Sequence, residues 1–431
     1  MERDMKNFDN FIKDLTTLIS FESVKVENQE GTPFGVENQK ALRYLLDLAS
    51  SFGFETKNYN DYAGEIIFGE GEELGIIGHL DVVPAGEGWN TPPYQLTKVD
   101  GVYYGRGVSD DKGLTLMNLY ALKALKDSGI KPNKKFRFLV GCNEESGWGD
   151  IAYLKTLKDF TFPEKGFSPD GEFPLTYAEK GINHITFKLP KLKNFYGLEG
   201  GTVINAVCGK AFAYATPEGI NENLIYKHGL NLVDGNKIVS IGKSCHGSTP
   251  EKGINALNSL FAYFLEMGED VQNFYDYVIN DKSGLRQIKN EQGSLTMSPD
   301  LLWEEDDAVY VKCDTRIPAP VTFDKIKHYI DSFNVEYNSV ERHPPFMIDK
   351  DGEFVQTLLN AYIEITGEKD AKPKYETGST YARVFKQGCS FGACGIDGYS
   401  AGAHEANEKM PEDIMIKIYN IYEKAIFMLA K

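Results

Sequence analysis

The run "IIGHLDVVPAGEGW", residues 76–89, places a histidine and an aspartate in sequence that otherwise suits a buried strand. Side chains at i and i+2 of a strand share a face, so His79 and Asp81 point the same way. Pro84 and Gly86 break the strand just beyond them. Taken alone, the pair reads first as an edge histidine hydrogen-bonded to a neighbouring acid. A metal-ligating imidazole whose ring is held by a carboxylate is the sharper alternative. The rest of the chain decides between them.

Around that run the pattern is α/β. Phe8, Phe11, Ile12, Leu15, Leu18 and Ile19 follow a helical period, and a second helix is expected over 35–52. Strand-like runs lie at 64–68, 74–82, 136–142 and 185–189, with a helix over 113–129 that Gly129 stops. Such alternation predicts a mixed sheet with helices on both faces. After about residue 184 the pattern changes. "ITFKLPKL", "KIVSIGKSCHG", "SLTMSPDLLW" and "AVYVKCDTRIP" are strand candidates, with helices near 254–267, 270–280 and 322–333. This predicts a separate α+β domain. The stretch "ERHPPFMIDKDGEF" (341–354) reads as a return crossing, and helices at 353–366 and 411–429 resume the α/β pattern of the first region. The expected organisation is a catalytic domain of residues 1–184 and 346–431, interrupted by an inserted domain of residues 185–345.

Composition narrows the function classes. With 63 acids against 46 bases and a formal charge of −17, a nucleic-acid or anionic-membrane surface is disfavoured as the main partner. The six cysteines form no C-x-x-C pair, so nothing in the sequence looks like a Cys-based zinc site or a disulfide framework. "MERDMKNFDNFIKDLTTLISF" has no continuous apolar core, and no window approaches 18 uninterrupted apolar residues. No signal peptide and no membrane span are therefore expected, and the cytoplasm is the default location.

Four further clusters fall at strand ends or loops, where functional side chains concentrate. "GRGVSDDKG" (105–113) sets Asp110 and Asp111 before a helix, where an N-cap with an acidic first turn is the ordinary explanation. "GCNEESGWGD" (141–150) sets Glu144 and Glu145 after an apolar strand; neighbouring carboxylates can divide their work as ligand and base. "FSPDGEFP" (167–174) holds Asp170 in a turn, and "GAHEANEKMPED" (402–413) places His404 ahead of the last helix. Each signal is weak alone. Together they offer nitrogen and carboxylate donors without thiolates, a set that suits Zn²⁺, Mn²⁺ or Co²⁺.

In their order, "GHLDVVPAGEGW", "GRGVSDDKG", "NEESG", "SPD", "HGSTPEKGINA" and "AHEANE" resemble the dinuclear metallopeptidases related to carboxypeptidase G, acetylornithine deacetylase and succinyl-diaminopimelate desuccinylase. The likeness is strongest to the bacterial PepV-type (Xaa-His, carnosinase-like) dipeptidases. The resemblance implies a zinc-peptidase-like catalytic domain with an inserted lid, and two divalent ions per chain, zinc ahead of manganese or cobalt. It implies His79, Asp110 and Asp170 on one ion and Asp110, Glu145 and His404 on the other, with Asp110 bridging. Glu144 would be the general base, and Asp81 would orient His79. The peptide bond between Asp110 and Asp111 would be cis.

Substrate contacts follow from the same likeness. His246 would meet the substrate carbonyl or its oxyanion, while Asn205 and Arg316 would hold the terminal carboxylate. Gly378, Thr380 and Arg383 would line a substrate loop. The spans from Asp170 to His246 and from His246 to Arg316 are shorter than in the PepV-type enzymes. The resulting expectation is a dipeptidase acting on small unblocked dipeptides, as a monomer or homodimer. An N-acyl amino acid amidohydrolase is the alternative. Asp170 is the form that aminopeptidase-like members tend to carry at this ligand, whereas deacylases tend to carry Glu. A non-catalytic peptide-binding protein is the third reading, and Glu144 argues against it, because a binder needs no general base.

Overall fold

Strand Glu72–His79 is buried from Leu74 to its end, as a parallel strand must be when both faces of its sheet are covered. In the computed structural model, which describes residues 7–27 and 31–431, it lies at the centre of a mixed sheet. It runs parallel to Lys134–Gly141 on one side and Lys165–Ser168 on the other, with His79 in register with Gly141. The sheet continues antiparallel through Ala63–Phe68 and Glu55–Tyr59, and parallel through Gln387–Ser390. The strand expected over 74–82 ends at His79 instead, and Val82 N–H donates to the Ser23 carbonyl at 3.1 Å. The charged hexapeptide 1–6 at the chain start lies outside the described residues.

Helices cover both faces. A Cβ on Gly75 would lie 2.3 Å from the Phe385 ring, and one on Gly78 would lie 2.0 Å from Thr115 Oγ1. These two positions face opposite ways along the strand. Helix Lys112–Asp127 thus lies on one face, and it is buried all round from Lys112 to Leu122, where Lys112, Thr115 and Asn118 are its polar members. On the other face Ala63, Ile77 and Leu139 pack with Ile151 and Leu154 of helix Gly149–Thr156 and with Tyr381 and Phe385. Ile77 is 1% exposed there. Removing one methylene by Ile77→Val is expected to cost about 1 kcal/mol, read as a lower urea midpoint at unchanged slope.

The chain divides into two compact units. The first gathers residues up to Tyr177 with Ile348–Lys374 and Thr380–Lys431; the second is Ala178–Met347 with Tyr375–Ser379. The second unit is built on an eight-stranded antiparallel sheet. Its order is Asn231–Val233, Lys237–Ile241, Lys210–Ala215, Phe195–Gly200, Thr296–Glu305, Ala308–Ile317, Gly181–Pro190 and Glu336–His343. Strand Gly181–Pro190 alternates buried and accessible residues, which is the pattern of a sheet with one face on a core. That core includes Phe187, Val311, Leu257, Phe261 and Ile326. Strand Glu336–His343 is not among the sequence-based expectations, because this edge strand is polar and buries none of its residues fully. Among the described residues, no helix is long and apolar enough to cross a membrane.

Candidate metal centre

The first unit's candidate residues collect at the carboxyl ends of its parallel strands, where open α/β sheets hold their ligands. His79 ends one strand, Glu144 and Glu145 follow Gly141 at the end of the next, and Asp170 follows Ser168. Asp110 and His404 arrive from loops. His79 Nε2 lies 3.3 Å from Asp110 Oδ1. His404 Nε2 lies 3.1 Å from Asp110 Oδ2 and 3.0 Å from Glu145 Oε2, so Asp110 stands between the two imidazoles. Donor atoms of His79, Asp110 and Glu145 fall within 4.8 Å of one another, and so do those of His79, Glu144 and Asp170. The Asp110–Asp111 peptide is cis.

Asp81 does two things, and one of them differs from the expected role. His79 Nδ1 lies 3.0 Å from the Asp81 backbone carbonyl, whereas the Asp81 carboxylate is 3.4 Å away. A carbonyl can only accept, so Nδ1 carries the hydrogen, and whenever the ring is neutral its lone pair is on Nε2. The Asp81 carboxylate instead accepts the backbone N–H groups of Glu144 and Glu145, each at 3.0 Å. Asp111 braces the strand end from the other side, accepting from His79 N–H at 3.0 Å and Thr115 Oγ1 at 2.9 Å.

Charge in this cluster is unbalanced. Burial disfavours the imidazolium of His79, yet the Asp110, Asp81 and Asp111 carboxylates around it hold its pKa well above the ordinary value. Hydrogen bonds with Asp110 and Glu145 push His404 up to about 11. Burial, followed by the charges of Asp170, Glu145 and Asp81, raises Glu144 well above the usual carboxylate range. Burial and the Asp110 charge raise Glu145 as well. The residues fit divalent cations. His79 Nε2 is buried without a hydrogen-bond partner, and the surplus of carboxylates calls for positive charge at the point where the donors converge.

Within the second unit a separate set comes together. Arg316, 5% exposed, gives Nε to both oxygens of the fully buried Asp314 at 3.1 and 3.0 Å, and Nη2 to Oδ2 at 2.9 Å. Its Nη1 donates to the Thr377 carbonyl at 3.1 Å. Thr377 Oγ1 reaches Ser248 Oγ at 3.2 Å, and Ser248 Oγ lies 2.7 Å from His246 Nδ1. Asn205 adjoins the same loop, its carbonyl accepting Gly247 N–H at 2.7 Å. Gly378 follows Thr377 in this unit, whereas Thr380 and Arg383 belong to the first. The Thr380 hydroxyl caps the short helix Tyr381–Val384 and bonds Ser390 Oγ at 2.9 Å, so it is engaged in holding that turn.

Residues 75–428 match the family described as "Peptidase family M20/M25/M40". The chain belongs to that family. The Beta-Ala-Xaa dipeptidase of Lactobacillus delbrueckii subsp. lactis is 35% identical over 464 aligned positions, covering 98% of this chain and 96% of the relative. Among solved structures, human carnosine dipeptidase 1 shares the fold at TM-score 0.58 and 17% identity, covering 98% of this chain and 97% of that one. A tripeptidase from Staphylococcus aureus does so at TM-score 0.61 and 16% identity, covering 99% of each chain.

In this M20/M25/M40 peptidase several residues that shape the centre carry no signal in the sequence. Asp150, fully buried, accepts the N–H groups of Cys142 and Asn143 at 2.8 and 3.0 Å and the Tyr381 hydroxyl, which fixes the approach to Glu144. Glu408 accepts four hydrogen bonds around the Asp110 loop. Asp314 and Ser248 hold the peptidase's Arg316 and His246. Only Asp314 had a local signal, because it shares a strand face with Arg316 two residues on.

Proposed function

We propose that this peptidase is a metal-dependent dipeptidase that hydrolyses the peptide bond of small unblocked dipeptides. One observation carries the reading: two imidazoles and paired carboxylates, with Glu144 among them, converge at the strand ends of a chain 35% identical to a Beta-Ala-Xaa dipeptidase across its length. His79, Asp110 and Asp170 would hold one divalent ion, and Asp110, Glu145 and His404 a second, zinc ahead of manganese or cobalt. When bound, such ions supply Lewis acidity and a water of lowered pKa.

The chain's own residues do the rest. Asp81 presents Glu144 and Glu145 as a unit by gripping both of their amides, so that base and ligand keep a fixed spacing. Glu144 takes the proton of the attacking water and delivers it to the leaving amine. His79 keeps its Nε2 lone pair because Nδ1–H is committed to a backbone carbonyl. In the second unit, His246 contacts the substrate carbonyl, and Asn205 and Arg316 its terminal carboxylate. The side-on edge of the Arg316 guanidinium is taken by Asp314, so the carboxylate meets the end-on pair, the remaining hydrogens of Nη1 and Nη2. Gly378, Thr380 and Arg383 are proposed to shape the substrate loop. All six cysteines are free thiols, which supports a reducing compartment such as the cytoplasm.

The test is a substrate panel on protein stripped by chelation and reloaded with Zn²⁺ or Mn²⁺. Ala-Xaa and β-Ala-His dipeptides are compared with a tripeptide and with N-acetyl and N-succinyl amino acids. Turnover of dipeptides at least about 100-fold above the N-acyl substrates is expected, with none in the stripped protein. Preference for N-acyl amino acids would replace this reading with the amidohydrolase one.

A further inference from the structure

We infer that Glu408 is a positioning residue that fastens the proposed ligands Asp110 and His404 to each other, and that Asn407 beside it extends the fastening. The inference rests on the metal-centre reading given under Proposed function. Glu408 is fully buried, and its carboxylate accepts four donors from a single loop. Oε1 takes the N–H groups of Ser109 and Asp110 at 2.9 and 3.0 Å; Oε2 takes Gly107 N–H and Arg106 Nη1, both at 2.9 Å. The Glu408 carbonyl also accepts Gly105 N–H at 3.1 Å. The Asp110 loop is therefore wrapped around one anion, and the backbone of Asp110 cannot shift without stripping an acceptor from a buried amide.

The same short segment reaches a third place. Asn407 Oδ1 accepts Asn90 N–H at 2.7 Å, and its Nδ2 donates to the Gly88 carbonyl at 3.0 Å. Arg106 lies over the Trp89 ring at 5.3 Å, with Nη2 3.4 Å from the carbonyls of Pro84 and Ala85. Just past His404, the Asn407–Glu408 pair thus ties that histidine's segment to the Asp110 loop and to the stretch that follows Asp81. A side-chain length of play at His404 would move its Nε2 off Asp110 and Glu145; the tie removes that play. Burying this carboxylate is tolerable because three backbone N–H groups and the cationic Arg106 Nη1 are aimed at its two oxygens.

The experiment separates this role from plain stability. Zinc dissociation constants are measured by competition with a chromophoric chelator for the full-length protein and for Glu408→Asp, Glu408→Gln and the double variant Glu408→Gln/Arg106→Met. Melting temperatures are taken on the metal-free forms. Glu408→Asp keeps the charge opposite Arg106 but draws the oxygens back from the amides. It is expected to weaken zinc binding about 10- to 100-fold at a temperature where the metal-free form is still fully folded, with a smaller fall in the metal-free melting temperature than Glu408→Gln causes. The double variant is expected to recover the melting temperature that Glu408→Gln loses, but not the zinc affinity. Wild-type affinity in Glu408→Asp overturns the inference, as does joint recovery of affinity and melting temperature in the double variant. An unsubstituted protein that binds no zinc overturns the metal-centre reading itself, a distinct result.

Discussion

Replacing Glu144 by Gln is expected to lower kcat on dipeptides by about 10³- to 10⁴-fold, the upper part of the range for general acid–base catalysis. In the proposed mechanism one carboxylate carries both proton transfers, so its loss removes two steps at once. Glutamine keeps the size of the side chain and its carbonyl oxygen but cannot hold the transferred proton. The Asp81 grip on the Glu144 and Glu145 amides is a backbone contact and survives the change. Metal content should therefore stay at the wild-type level by elemental analysis. A kcat within tenfold of wild type, with metal retained, would sink the role assigned to Glu144.

The second large effect concerns Arg316. Arg316→Met leaves Asp314 fully buried without its partner, and breaking such a pair costs about 3–5 kcal/mol. It also removes the two charge-assisted hydrogen bonds proposed for the substrate carboxylate, so KM is expected to rise on the order of 100-fold with kcat much less affected. The two consequences can be separated. Arg316→Met/Asp314→Asn removes both charges, and it should restore most of the denaturation midpoint while leaving KM high. A C-terminally amidated dipeptide gives the complementary measurement, since it lacks the carboxylate and should be nearly indifferent to the change. Restoration of KM by the double variant would mean that Arg316 acts on the fold and not on the substrate.

The site was legible where its chemistry was local. His79 and Asp81 stand two residues apart, Glu144 and Glu145 are adjacent, and each pair follows an apolar run that reads as a buried strand. Strand ends are places where a side chain is both rigid and accessible, so position and residue type together singled out the cluster. The role of Asp81 was legible only in part. Its closeness to His79 was evident, but its carboxylate also accepts amides 63 and 64 residues further along the chain. Thr380 drew attention through its glycine-rich surroundings, and the structure shows its hydroxyl capping a turn. The polar edge strand Glu336–His343 escaped because hydrophobic alternation marks only strands with a face on a core.

The sequence by itself determined the α/β and α+β patterns, the donor types and their mounting at strand ends, because these depend on residue type and on neighbours a few positions away. Only the tertiary structure decided which carboxylates serve the ligands. Glu408 lies 298 residues from the amide of Asp110 that it accepts, and Asp150 is likewise a single acid among 63. In the linear chain each is indistinguishable from a solvated surface charge. What separates them is burial together with unpaired N–H groups within hydrogen-bonding distance, a property that exists only once the loops have folded around them.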